Sequence, residues 1–209
     1  MRKPVSAVLL TLTSAALAFG LTATSTFAAT TRATWTVKPG GATTGTAGTT
    51  KVTDKTSGLT VTCTSSTFTG SFKSGSGLSG TGLGTITALN FTNCTVDGIT
   101  LSLSSGPVTY SINGASYASG VAHGTISKIH FAISSSECSA VIDGTSGTAH
   151  NGKVKFTYTN KTGVLKIITT GSTLHVYNVN GCLGAISNGD AGNITGSYKS
   201  SPAQTITSP

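Results

Sequence analysis

The sequence predicts an all-β domain, either a β-sandwich or a closed, curled β-barrel of about 13 short antiparallel strands held by two disulfides. Three observations carry this. Segments rich in Val, Ile, Thr, Phe and Tyr recur between Gly, Ser and Asn clusters at a spacing of roughly 8 to 12 residues. Beyond the N-terminal leader no stretch has the apolar period of a helix. The four cysteines are an even count, Cys63, Cys94, Cys138 and Cys182, and all lie past the leader.

The leader comes first. Arg2 and Lys3 form a basic start, residues 5–21 are apolar with Ser and Thr interspersed, and small residues follow up to Ala28. That is the plan of a secretory signal peptide over residues 1–28, cut after Ala28. Residues 29–209 then form one exported domain, and a mature chain of roughly 180 residues suits a single core. No later apolar run approaches the ~20 residues of a spanning helix. The expected location is therefore extracellular, with loose association to the cell wall as a variant.

In chain order the predicted strands cover residues 33–38, 50–53, 59–64, 67–72, 85–92, 99–104, 108–113, 124–133, 139–143, 153–159, 164–169, 173–179 and 192–198. Two Gly-rich segments, 38–50 (KPGGATTGTAGTT) and 73–84 (KSGSGLSGTGLG), read as loops within the domain, the second alternatively as a strongly bent strand pair. The hairpin GKVKFTYTNKTGVLKII is the clearest element. With residues 160–163 as its turn, Thr159 faces Val164 and Thr157 faces Lys166, so Val154, Phe156, Tyr158, Leu165 and Ile167 share the core face. Lys153, Lys155 and Lys166 line the other face as a basic strip.

One passage occurs nearly twice: GTITALNFTNCTVDG at 84–98 and GTISKIHFAISSSECSAVIDG at 124–144. Every matched position has a structural use, with alternating apolar residues for a sheet face, Asp-Gly for a tight turn and Cys for a staple. The two copies space Phe and Cys differently, so the cysteines need not be equivalent. The four cysteines allow three pairings. Cys63 with Cys94 and Cys138 with Cys182 is the favoured one, because each bridge then closes its own loop. No Cys or His spacing suits a metal, and no metal or other cofactor is expected.

Catalytic residues are not assigned. The chain has only five carboxylates, Asp54, Asp97, Glu137, Asp143 and Asp190, and three of these adjoin Gly in turn-like contexts. A glycosidase needs a matched carboxylate pair across a cleft. No Gly-x-Ser-x-Gly elbow occurs, and His123, His130, His150 and His175 form no ligand motif. His130 and His175 fall on predicted strands and read as hydrogen-bonded surface or sheet histidines rather than ligands or bases. The net charge is +8 with only 9% charged residues, too dilute for a nucleic-acid surface. Trp35, Tyr110 and Tyr117, with the Lys153/Lys155/Lys166 strip, are the candidate binding residues, Trp35 being a sugar-stacking ring, a ring that inserts into lipid, or a plug for the end of the core.

The blocks TWTVKPGG, SGLTVTCTSS, CSAVIDGTSGTAHNGKVKFTYTN, LKIITTGSTLHVYNVNGC and QTITSP together resemble a group of uncharacterised secreted all-β proteins of actinobacteria, chiefly Streptomyces-like organisms. The resemblance implies a signal-cleaved extracellular protein with two disulfides and carries over no activity. The sequence favours binding over catalysis: a noncatalytic domain for an apolar ligand or lipid, or for a cell-wall polymer or other polysaccharide. The alternatives are a secreted hydrolase whose His, Ser and carboxylate meet only on folding, and an extracellular structural or matrix protein.

Overall fold

A computed structural model describes residues 34–106 and 109–209. The predicted leader lies outside the described residues, as do the first residues of the strands expected at 33–38 and 108–113. The N-terminal half contains β1 (Trp35–Lys38), β2 (Gly41–Ala47), β3 (Thr50–Asp54), β4 (Thr60–Phe72), β5 (Gly75–Leu78), β6 (Gly84–Val96), β7 (Ile99–Ser104) and β8 (Tyr110–Ala118). There follow β9 (Val121–Ile129), β10 (Phe131–Ser134), β11 (Cys138–Asp143), β12 (Gly152–Thr159) and β13 (Val164–Ile168). The last are β14 (Leu174–Gly181), a 3-10 turn at Cys182–Gly184, β15 (Ala191–Thr195), β16 (Ser197–Ser201) and β17 (Thr205–Thr207).

Fourteen of these strands form one antiparallel network whose ladder order closes on itself, β7 pairing with β10. The organising unit is the ribbon of β4 and β6, each 13 residues long. A strand of that length serves two neighbours in succession. The free edge of β4 takes β3 along Thr60 to Cys63 and β2 along Ser66 to Phe72. The free edge of β6 takes β8 near Gly84 and β7 toward Val96. The ribbon thus divides the ring into two closed circuits. The first runs β4, β2, β16, β13, β12, β9, β8, β6, and the second runs β4, β3, β15, β14, β11, β10, β7, β6.

Side chains of period two fill both interiors. The first circuit buries Phe68, Phe72, Ile86, Ile112, Ile126, Val154, Phe156, Tyr158, Leu165 and Tyr198, and the second buries Val52, Val61, Leu101, Ile133, Ile142 and Val176. The β12–β13 register has Thr157 opposite Lys166 and Thr159 opposite Val164, and the five apolar residues expected in the core are buried. A separate sheet, β17–β1–β5, lies against the first circuit. Tyr158 Oη accepts from the Gln204 N–H at 2.7 Å, and the Asn160 amide both donates to and accepts from the Ile206 backbone.

Several local expectations are corrected. Segment 38–50 is not a loop, because it contains β2, paired along its whole length with β4. Its inward positions are Thr43, Gly45 and Ala47, and the apolar bulk comes from across the ladder. A Cβ on Gly45 would stand 2.0 Å from the Phe68 ring, so only glycine lets that ring lie on the strand. Segment 73–84 holds β5, which pairs with β1. The strands expected at 59–64 and 67–72 are one strand, and the expected 124–133 strand breaks at His130. The echoed passages diverge for the same reason: the first is a continuous β6 ending at an Asp97-Gly98 turn, whereas the second spans parts of three strands. Their phenylalanines do meet, with Phe91 and Phe131 ring centroids 6.0 Å apart.

Both disulfides form as paired above, Cys63 with Cys94 and Cys138 with Cys182, spanning 31 and 44 positions. Cys63 and Cys94 are directly opposite in the β4–β6 ladder, so this bridge staples the ribbon common to both circuits. Replacing both by alanine is expected to cost about 3 kcal/mol by releasing the unfolded chain. Urea unfolding of the double variant with the other bridge intact measures this. Among the described residues no helix is long and apolar enough to cross a membrane.

Candidate functional site

The loops at one end of the second circuit converge on an apolar groove. They are the β3–β4 turn, the β6–β7 turn, the β10–β11 turn and the segment after β14. The cavity measures about 180 Å³, with walls that include Leu59, Val96, Ile99, Leu101, Leu183 and Ile186 together with the Cys138–Cys182 bridge. Two large hydrophobic side chains stand exposed among the described residues, Ile99 at 55% and Leu183 at 94%, and both line this groove. Leaving such side chains in water forfeits about 2 kcal/mol each relative to burial.

Leu183 is held rigidly. It sits in the 3-10 turn with φ 48, and Cys182 before it has φ 62, a left-handed pair that non-glycine residues adopt at a cost. Three features hold that conformation. Cys182 is bridged to Cys138, its N–H donates to the Glu137 carbonyl at 3.1 Å, and Gly181 allows the chain to press on that same carbonyl, where a Cβ would come within 2.0 Å. The result is a leucine projected outward from a braced turn.

The rim is acidic. Asp97 and Glu137 line the groove, and no lysine or arginine among the described residues does. Beneath it lies a second, smaller void of about 50 Å³ that shares the Leu59, Val96, Leu101, Cys138 and Ile186 walls. Asp54 lines this void at 7% exposure. Its Oδ1 accepts the Thr56 and Ser57 N–H groups at 2.7 and 3.0 Å, while its buried Oδ2 has no hydrogen-bond partner among the described residues.

A second cluster surrounds Asp143. The expectation that Asp143 is a tight-turn residue is corrected: it is the fully buried last residue of β11. Its Oδ2 accepts from His130 Nδ1 at 3.0 Å and from the His150 N–H at 2.8 Å, and its Oδ1 from the Gly144 and Asn151 N–H groups at 2.6 and 3.0 Å. The His130 and His150 rings stack with centroids 4.0 Å apart. His175 Nδ1 and Tyr177 Oη each donate to the Gly144 carbonyl at 3.1 Å. His130 is hydrogen-bonded as expected, but it occupies the break between β9 and β10 rather than a strand. Burial alone raises the Asp143 pKa, yet the His130 bond and the backbone donors of Gly144, Asn151 and His150 bring it below the usual carboxylate value. A hydrolytic triad needs a hydroxyl on the imidazole, and among the described residues no serine or threonine hydroxyl hydrogen-bonds a histidine ring. The cluster's visible work is to tie the 144–151 loop to the sheet.

The structure does not bring the six sequence-proposed binding residues together. Trp35 is 2% exposed and packs against Gly80 and Gly114, where a Cβ would stand 2.8 and 2.6 Å from its ring, so it plugs the core rather than offering a stacking face. Tyr110 is equally buried and donates to the His130 carbonyl at 2.6 Å, its phenol pKa pushed far upward by burial. Tyr117 is half-buried opposite Ala122. Lys153, Lys155 and Lys166 do line an exposed outer face, joined by Lys199 opposite Val164 on β16. The groove residues were missed because they come from four separate turns. The one local hint is Gly-Cys-Leu-Gly at 181–184, an apolar residue between turn-forming glycines beside a cysteine. No family model matches this chain, and no curated protein or solved structure matches it.

Proposed function

We propose that this protein is an extracellular, noncatalytic binding domain that takes a small apolar ligand into the groove between Ile99 and Leu183. The observation that carries this reading is the coincidence of the two exposed large hydrophobics on one cavity. A concave apolar site with a few polar groups at its edge is the usual form of a small-ligand site. The mouth of a closed strand circuit supplies it here, with turns as variable walls on a rigid frame. The two disulfides support an oxidising, extracellular location. The lysine face is the remaining feature suited to an anionic wall polymer, and it belongs to strands of the other circuit.

Displacement of an apolar fluorescent dye tests the reading. Leu183→Asp and Ile99→Asp are each expected to weaken dye binding about tenfold, because a charge in the apolar wall must be desolvated by the ligand. Both side chains are exposed, so the melting temperature should hardly move. Equal dye affinity in wild type and both variants would reject the groove as the binding site. Native mass spectrometry of protein recovered from its own culture medium examines secretion and any retained adduct together.

A further inference from the structure

We infer that the ligand is an apolar amine, bound with its hydrocarbon in the groove and its ammonium donating to Asp54 Oδ2. This rests on the groove being the binding site and specifies the chemistry of its occupant.

The charges are distributed against chance. The chain carries 13 basic and 5 acidic residues, so its long-range field favours anions. Yet three of the five carboxylates, Asp54, Asp97 and Glu137, line the groove or the void beneath it, and no lysine or arginine among the described residues does. Asp97 and Glu137 are exposed and would only steer a cation toward the mouth. Asp54 is the anchoring group. One oxygen closes the turn after β3 through two N–H bonds, and the other is buried without a partner among the described residues.

A buried carboxyl oxygen without a donor is costly, and proteins rarely tolerate one. Thr56 and Ser57 already satisfy the needs of the fold through Oδ1, so Oδ2 is free for a donor brought from outside. The surroundings select that donor. The void is walled chiefly by aliphatic side chains such as Val52, Val61, Leu101, Ile133, Ile142 and Val176; the one hydroxyl in the wall, on Thr53, is already hydrogen-bonded to Thr60 Oγ1 at 3.1 Å, which leaves Asp54 Oδ2 as the open acceptor. An N–H-bearing cation on an apolar stem meets both conditions, since the stem fits the walls and the ammonium completes the carboxylate. An anion would face three carboxylates, and a neutral alcohol would supply the bond without the charge.

The test uses four probes with one hydrocarbon chain: octylamine, octyltrimethylammonium, octanol and octanoate, each titrated near neutral pH against wild type, Asp54→Asn and Leu183→Asp. Octylamine is expected to bind about tenfold tighter than octanol, with octyltrimethylammonium near octanol because it has no N–H, and octanoate weakest. Asp54→Asn keeps the oxygen that closes the turn and should reduce octylamine to the octanol level while leaving octanol unchanged. If octylamine and octanol bind wild type equally, the amine assignment falls and the groove reading stands. An amine preference that survives Asp54→Asn, or one shared fully by the trimethylammonium probe, overturns Asp54 as the anchor. If no probe binds, or Leu183→Asp leaves every affinity unchanged, the groove reading itself falls.

Discussion

Asp143→Ala is expected to lower folding stability by about 4 kcal/mol, the scale for breaking a buried, fully hydrogen-bonded charge network from one side. Four donors converge on this carboxylate: the His130 imidazole and the N–H groups of Gly144, His150 and Asn151. Alanine leaves all four without that acceptor, the Gly144 N–H in a fully buried position. Asp143→Asn is a sharper probe, because its NH2 faces two backbone donors at the Oδ1 position and the His150 N–H at the Oδ2 position, where His130 Nδ1 can change tautomer to accept; part of the loss should therefore persist despite the conserved shape. Urea unfolding at neutral pH measures both. The pH dependence has a definite sign. The folded-state pKa lies below the ordinary 3.8, so the carboxylate's contribution is fully present above that value and is lost as pH falls through the lower folded-state value. The gap between wild type and Asp143→Ala should therefore stay constant from neutral pH down to about pH 5 and narrow only in stronger acid.

Phe68→Ala should cost about 4 kcal/mol through lost burial and the cavity left behind. The ring is 1% exposed, lies over Gly45 and tilts against Tyr198 at 5.5 Å. A small apolar void of about 30 Å³ already adjoins it, so the vacated space would enlarge an existing defect. Gly45→Val alone should also destabilise, because its Cβ would stand 2.0 Å from the ring. Combined with Phe68→Ala, the valine fills the emptied space. The double variant is expected to be more stable than the sum of the two losses predicts, and a double-mutant cycle by thermal or urea unfolding reads that coupling.

The elements legible in the sequence are those whose apolar residues lie on the strand itself. β12 and β13 carry Val154, Phe156, Tyr158, Leu165 and Ile167 at period two around a four-residue turn, and face and register follow from that alone. β2 reads as a loop because its inward positions are Thr, Gly and Ala, and what makes it a strand is Phe68 on its neighbour. The two Asp-Gly pairs mark the limit of local reading. Asp97 and Gly98 form the left-handed turn the dipeptide suggests, with φ 47 and 85. Asp143 precedes Gly144 in nearly the same context but is buried, because His130 and His150 are waiting for it in the fold. The cysteine pairing was legible from loop closure. The groove was not, since Leu59, Ile99, Glu137 and Leu183 become neighbours only when the second circuit closes.

That closure has a consequence for how the chain reaches its final form. The first circuit closes where β2 meets β16, with Thr46 opposite Lys199, and the second where β3 meets β15, with Thr53 opposite Asn193. β2 and β3 are consecutive, and so are β15 and β16. A single seam, joining the beginning of the described chain to its end, therefore completes both circuits at once. Neither half can finish alone, and early residues must hold their edges unpaired until late ones arrive. Such distant pairing makes for slow, strongly cooperative assembly. It also means that the mouth of the second circuit is complete only after β15 has docked on β3, so an incomplete chain carries the groove residues without the groove.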